Sequence, residues 1–192
     1  MASDTAGPRS PRPPGAAALA LAAVSGQPAE SLSGDPGLSG LLAALSRDPD
    51  GAAAQRVAEL TQSIAAGQRT VTSQNLDLLS AYERLERLGR PLNAVASVAP
   101  LPARAKAGPL AGQPVAVKDI IAVAGLPTRC GSPASDPAPA TADAAVVKRL
   151  RAAGAEVFAT TQCLEYAAGF AHPRIGDTRN PRDRRSARRG AR

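Results

Sequence analysis

Apolar residues recur at helical spacing through the first half of the chain and give way to short apolar runs separated by turns in the second. Asp35 and Pro36 read as the cap and first turn of a helix carrying Leu38, Leu41, Leu42 and Leu45 on one face. A second helix over residues 51–66 places Val57, Leu60 and Ile64 inward and stops at Gly67, and a third over residues 73–88 carries Leu79, Tyr82 and Leu85 and ends at Gly89. Residues 92–98 are the first strand pattern, followed by a Pro-rich loop over 100–109 and a short strand over 115–117. A helix over 142–153, a strand over 155–160 and a short helix near 162–169 complete the order, with Gly154 at the helix-to-strand junction. The alternation predicts an α/β fold: N-terminal helices, then part of a mixed or parallel sheet covered by helices. No internal repeat is visible, and Gly108, Gly112 and Gly125 are spaced for turns, not as a phosphate-cradling or dinucleotide loop.

Residues 1–34 are rich in Pro, Ala, Gly and Ser and show no capped apolar stripe, so they are expected to form a disordered leader. Arg9 and Arg12 ahead of the apolar residues 16–24 imitate a secretory signal, but no clear cleavage pattern follows, and a cytoplasmic location is the expectation. No apolar run is long enough to span a membrane.

The most informative stretch is Gly-Pro-Leu-Ala-Gly-Gln-Pro-Val-Ala-Val-Lys-Asp over residues 108–119. Gly112 and Pro114 bound a strand that delivers Lys118 to its end. An ammonium leaving a core there is expected to be partly stripped of water, which disfavours its charged form and suits the amine to accept a proton. The alternative is a lysine that pairs with Asp119 or extends to solvent.

The pattern continues as Val-Ala-Gly-Leu-Pro-Thr over 123–128, Asp-Ala-Ala-Val-Val-Lys-Arg-Leu-Arg-Ala-Ala-Gly-Ala over 143–155 and Thr-Gln-Cys-Leu-Glu-Tyr over 161–166. Taken in this order, the motifs resemble the amidase signature family, from about Leu92 to Asp183 with a weaker helical lead-in from about Gly37. Residues 35–183 then read as the N-terminal part of an amidase-signature domain. The resemblance implies amide hydrolysis, or transfer of the released ammonia, through a serine nucleophile, a second serine in a cis peptide, and a lysine base. By position that lysine is Lys118. It also implies a small amide substrate and no metal or organic cofactor. The alternative within the resemblance is part of an amidotransferase that acts on aminoacyl-tRNA.

The family's Gly-Gly-Ser-Ser-Gly-Gly loop is expected after the Thr-Arg-Asn-Pro-Arg-Asp segment at 178–183, where this chain reads Arg-Arg-Ser-Ala-Arg-Arg-Gly-Ala-Arg. Ser186 has no glycine loop to hold it and is not assigned the nucleophile's role. Glycine and serine codons of a GC-rich gene give arginine and alanine when read out of frame. The expectation is a truncated or frameshifted fragment that is inactive as written, with residues 184–192 a tail foreign to the family.

Composition adds limits. Only Tyr82, Phe158, Tyr166 and Phe170 are aromatic, so the core must be built from Ala, Leu, Val and Ile. The formal charge of +7 suggests an anionic partner until it is located: residues 182–192 hold six arginines and one aspartate, so most of the excess is local. Without aromatic interleaving, that run is read as a solvated tail and no specific nucleic-acid partner is expected. Cys130 and Cys163, with His172 the only histidine, do not supply the four clustered ligands zinc usually takes, and the cysteines are read as free buried thiols. His172 is the single histidine, and its placement decides whether a Ser-His-Asp arrangement is open. A reading from another class also stands: a non-catalytic interaction protein docking through its helices and basic tail.

Overall fold

The computed structural model describes residues 15–102 and 107–182. Residues 1–14 and the tail at 183–192, including Ser186, therefore lie outside the described residues, and so do the expectations placed on them.

The chain runs through α1 (Ala16–Ser25), α2 (Ala29–Ser33), α3 (Ser39–Arg47), α4 (Ala52–Ala65) and α5 (Gln74–Arg84), then a wide turn at Leu85–Gly89 and a tight one at Arg90–Leu92. Strands β1 (Val95–Val98) and β2 (Pro114–Lys118), helix α6 (Ala145–Ala152) and strand β3 (Glu156–Thr161) follow, with a short 3-10 turn at Glu165–Ala167. The sheet has the order β1-β3-β2, with β1 antiparallel and β2 parallel to β3. The parallel pair requires a crossover, which the loop after β2 and helix α6 supply. The α/β architecture with a mixed sheet is as the hydrophobic pattern predicts.

Helix α5 is what joins the layers, because it is apolar on two faces. Leu76 and Leu79 pack into a helical core with Leu21, Val24, Leu32, Leu41 and Leu60. Leu78, Ala81 and Tyr82 pack instead on Phe158 and Ala159 of β3. Tyr82 and Phe158 meet edge to face at 5.2 Å, and the Tyr82 hydroxyl donates to the carbonyl of Ala99 at 3.0 Å. On the far side of the sheet, Val117 and Val157 join Val123, Leu126 and Val147 of the crossover. Arg69, between α4 and α5, forms a buried pair with Glu156 at 2.7 Å and donates through Nε to Pro102 at 3.0 Å.

Two expectations need correction. Residues 16–33 are not a disordered leader: they form α1 and α2, and Leu21, Val24 and Leu32 are fully buried. Alanine is the best helix former, and a helix apolar nearly all round carries no stripe to read; its neighbours cover one side of it, while Ala16, Leu19 and Ala23 stay exposed. Gly26 ends α1 in the left-handed conformation, and the buried Asn75 amide donates to the Val24 carbonyl at 2.5 Å. Asp35 does not cap α3, which begins four residues later; its carboxylate accepts from the Gly37 amide in a turn before the helix.

Candidate active site at the strand ends

β2 and β3 run parallel and end side by side, with Lys118 in register with Thr161. The carboxyl end of a parallel pair is where the following loops open a crevice, so residues delivered there are placed for chemistry. Strand alternation sends neighbours in opposite directions. Val117 is buried, Lys118 is exposed and Asp119 is buried.

The expected desolvation of Lys118 is therefore not found. Lys118 is exposed to solvent, and among the described residues β2 pairs with β3 alone. No ion pair joins Lys118 to Asp119 among the described residues, since the aspartate turns inward. The Asp119 amide extends the ladder by donating to Thr161 O at 3.0 Å. Its carboxylate accepts from the Arg129 amide at 3.3 Å, while Oδ2 has no hydrogen-bond partner among the described residues. Burial pushes the Asp119 carboxyl above its usual range, opposed by the backbone amides of Arg129 and Gly131.

The loop after β2 is tied back to the loop after β3. The Cys130 amide donates to Asp119 O at 2.9 Å, and the Tyr166 amide donates to Cys130 O at 2.7 Å. Gly131 lies so close to β3's following loop that an added Cβ would stand 2.4 Å from Cys163 O, and its φ is +63°. Ser132, almost wholly buried, donates from Oγ to Glu165 Oε1 at 2.6 Å. Burial pushes the Cys163 thiol up; the Asp119 carboxylate adds to this and Lys118 opposes it. Both cysteines are free, Cys163 buried as expected and Cys130 half-buried.

The structure thus brings Lys118, Asp119, Ser132, Cys163 and Glu165 to one end of the sheet. Sequence reasoning singled out Lys118 and had Glu165 within a motif. It missed Ser132 and the buried role of Asp119; the Gly131-Ser132 step after the Thr128 turn was the available signal. His172 takes the Arg174 amide on Nδ1 at 3.1 Å. Among the described residues no group of three or more His, Cys, Asp or Glu is placed to hold a metal. A cavity of about 570 Å³ lies elsewhere, between α3, α4 and α5, and none of the strand-end residues line it.

A lysine and a hydrogen-bonded pair of a buried serine and a half-buried glutamate at the carboxyl ends of parallel strands define an α/β protein with a polar strand-end site. A family model described as Amidase matches residues 78–188, and the chain belongs to this amidase signature family. The match begins earlier than the motif run read from the sequence, inside α5, and extends past Asp183. The chain is 35% identical over 141 residues to a glutamyl-tRNA(Gln) amidotransferase subunit of Halorhodospira halophila, covering 66% of this chain and 28% of that protein. It is 47% identical over 76 residues to an amidase of Pseudomonas putida, covering 40% and 16% respectively. Among solved structures, the corresponding glutamyl-tRNA(Gln) amidotransferase subunit of Thermotoga maritima is 33% identical with a TM-score of 0.49, over 54% of this chain and 24% of that one. The chain spans less than a third of the length of these relatives.

Proposed function

We propose that this chain carries the base-bearing part of an amide-hydrolysing site, with Lys118 as the proton acceptor. The observation that carries this reading is the position of Lys118 at the carboxyl end of β2, beside Thr161 of the parallel strand β3. A serine hydroxyl is a poor nucleophile until a neighbouring base takes its proton. In the proposed reaction the serine oxygen bonds to the carboxamide carbon while its proton passes to the lysine amine, and the carbonyl electron pair moves onto oxygen. Collapse of that intermediate breaks the C–N bond, and the lysine returns the proton to the leaving ammonia or amine. Water then releases the acid from the acyl-serine by the same route.

The Gly-Gly-Ser-Ser-Gly-Gly loop that would supply the nucleophile is not among these 192 residues. A lysine serves as a base where water has been removed from it, whereas Lys118 is exposed. Both facts lead to one expectation: the 192 residues alone do not turn over amides. Asp119 and the Ser132–Glu165 pair act as supports, holding the two loops against the strand ends. The likeness to amidotransferases favours a second reading, in which water still releases the acid from the acyl-serine and the ammonia is passed to an acceptor instead of leaving free.

The test is a chimera in which residues 78–182 replace the matching segment of the Pseudomonas putida amidase. Hydrolysis should persist in the chimera and fall by about a thousandfold or more in Lys118→Ala, as for loss of an essential base. Undiminished hydrolysis in Lys118→Ala would remove the lysine from the mechanism, and turnover by the 192-residue chain itself would show that another nucleophile is present.

A further inference from the structure

The cavity of about 570 Å³ between α3, α4 and α5 is floored by Leu41 and Leu79, both almost wholly buried, and two opposite charges are set into it. From α5 comes Glu83, whose side chain is 8% exposed, and from α4 comes Arg56, at 24%. Both are held in place from within the fold. The Arg56 guanidinium lies 4.3 Å over the ring of Tyr82, which is buried and anchored by its hydroxyl on Ala99 O at 3.0 Å. Glu83 lies against the backbone of α3, where a Cβ added at Gly40 would stand 3.0 Å from its Oε2. The ion-pair partners of the two charges are looser. Arg87 pairs with Glu83 and Glu59 with Arg56, each from the same helix as its partner and each with a side chain 49% exposed. Pairs with one half-exposed member hold weakly, so Arg87 and Glu59 yield to a competing charge of their own sign.

We infer that this cavity binds a small zwitterion, a free amino acid with an apolar side chain, with its ammonium on Glu83, its carboxylate on Arg56 and its side chain over Leu41 and Leu79. A simple anion would meet Glu83, and a simple cation would meet Arg56. A neutral apolar ligand would strip water from both charges and give nothing back. A zwitterion answers both at once, and a planar guanidinium suits a carboxylate with two parallel hydrogen bonds. Arg56 rests on the ring of Tyr82, the residue next to Glu83, so the two charges are presented at neighbouring positions of α5. Small-molecule sites have volumes in this range and combine an apolar surface with a few placed polar groups. Because both charges are held by the fold, little is lost in ordering them when the ligand arrives. The site is independent of Lys118, since no strand-end residue lines the cavity.

The test is titration of the 192-residue chain with three probes followed by NMR: L-leucine, 4-methylpentanoate, which lacks the ammonium, and 3-methylbutylamine, which lacks the carboxylate. Leucine should bind saturably and about tenfold or more tighter than either analogue, as for loss of one charge-assisted contact. In Glu83→Gln the advantage of leucine over 4-methylpentanoate should vanish while the affinity for that acid is kept or raised. In Arg56→Met the advantage over 3-methylbutylamine should vanish in the same way, and Arg56→Lys should restore part of it. General damage to the fold would weaken all three probes together and would not produce these opposite selectivities. Resonances of Leu41, Leu79 and Tyr82 in the unaltered chain should shift with leucine, which locates the site without any substitution. Equal affinity for the three probes, no saturation by leucine, or shifts confined to residues outside the cavity overturns the inference. So does self-association that leucine does not displace and that disappears in Glu83→Gln, because a second copy of the chain then occupies the cavity.

Discussion

Arg69 and Glu156 are joined at 2.7 Å with both side chains almost wholly buried, and they tie the turn between α4 and α5 to the first residue of β3. The pair closes the helical layer onto the sheet, since Arg69 also donates to Pro102 on the way to β2. Removing one partner leaves the other charge uncompensated in the interior. Glu156→Ala or Arg69→Ala should each destabilise the chain by about 3–5 kcal/mol, whereas replacing both with Met and Leu should restore most of that loss. Urea unfolding of the three variants decides it; single substitutions costing less than about 1 kcal/mol would mean that water reaches the pair.

The Tyr82 phenol gives a prediction with a definite pH window. Burial raises it from 10.0 to about 12, with the Arg56 guanidinium, 4.3 Å over the ring, opposing the shift. The folded state holds the proton more tightly than the unfolded state, so the contribution is complete below pH 10 and is lost as pH rises from about 10 to about 12. A rise of that size corresponds to on the order of 2–3 kcal/mol. The measurement is the difference in stability between the chain and Tyr82→Phe across that window, which cancels the other groups that titrate there. The difference should shrink as pH rises, and a constant gap would show that water reaches the phenol and that burial does not raise it.

What could be read from sequence follows how local each signal is. The stripes of α4 and α5 and the alternation around β3 are periodic within a few residues, and they gave the helices, the strands and the mixed α/β class. Lys118 was legible because the Gly112 and Pro114 breakers fix where its strand ends. Its exposure was not, because it depends on what packs over the strand end, a non-local fact. Helix α1 was hidden by its own composition: alanine and leucine on all sides give no stripe, and its burial is set by α4 and α5, residues far along the chain. Ser132 and Glu165, thirty-three positions apart, meet only because β2 and β3 end together.

Gly131 should tolerate no side chain. A Cβ there would lie 2.4 Å from Cys163 O and 2.9 Å from Leu164 O, and backbone carbonyls tied into β3's following loop cannot yield as a flexible side chain would. The positive φ adds strain for any other residue. Gly131→Ala should cost about 2–4 kcal/mol and release the Tyr166 amide from Cys130 O. Hydrogen exchange at Tyr166, compared with that at Val157 within β3, separates local opening from global loss. Unchanged protection at Tyr166 would place the two loops farther apart than described.

The arrangement of the sheet decides where the chain is most resistant to opening. An N-terminal helical layer with a loosely held sheet would concentrate hydrogen-exchange protection in α4, α5 and α6. The observed order puts β3 between β1 and β2, with Val157, Phe158, Ala159 and Thr160 all buried and α5 and α6 on opposite faces. Amides of β3 therefore open only when both layers separate, and they should exchange at rates set by global unfolding. Among the described residues β2 is paired on one side only, so its outward amides should exchange orders of magnitude faster than the slowest amides of β3. An edge of this kind also templates pairing between molecules, so raising concentration should protect β2 amides without changing those of β3. Exchange in β3 as fast as that in β2 would mean that the sheet does not hold as a unit and that the helices alone carry the stability.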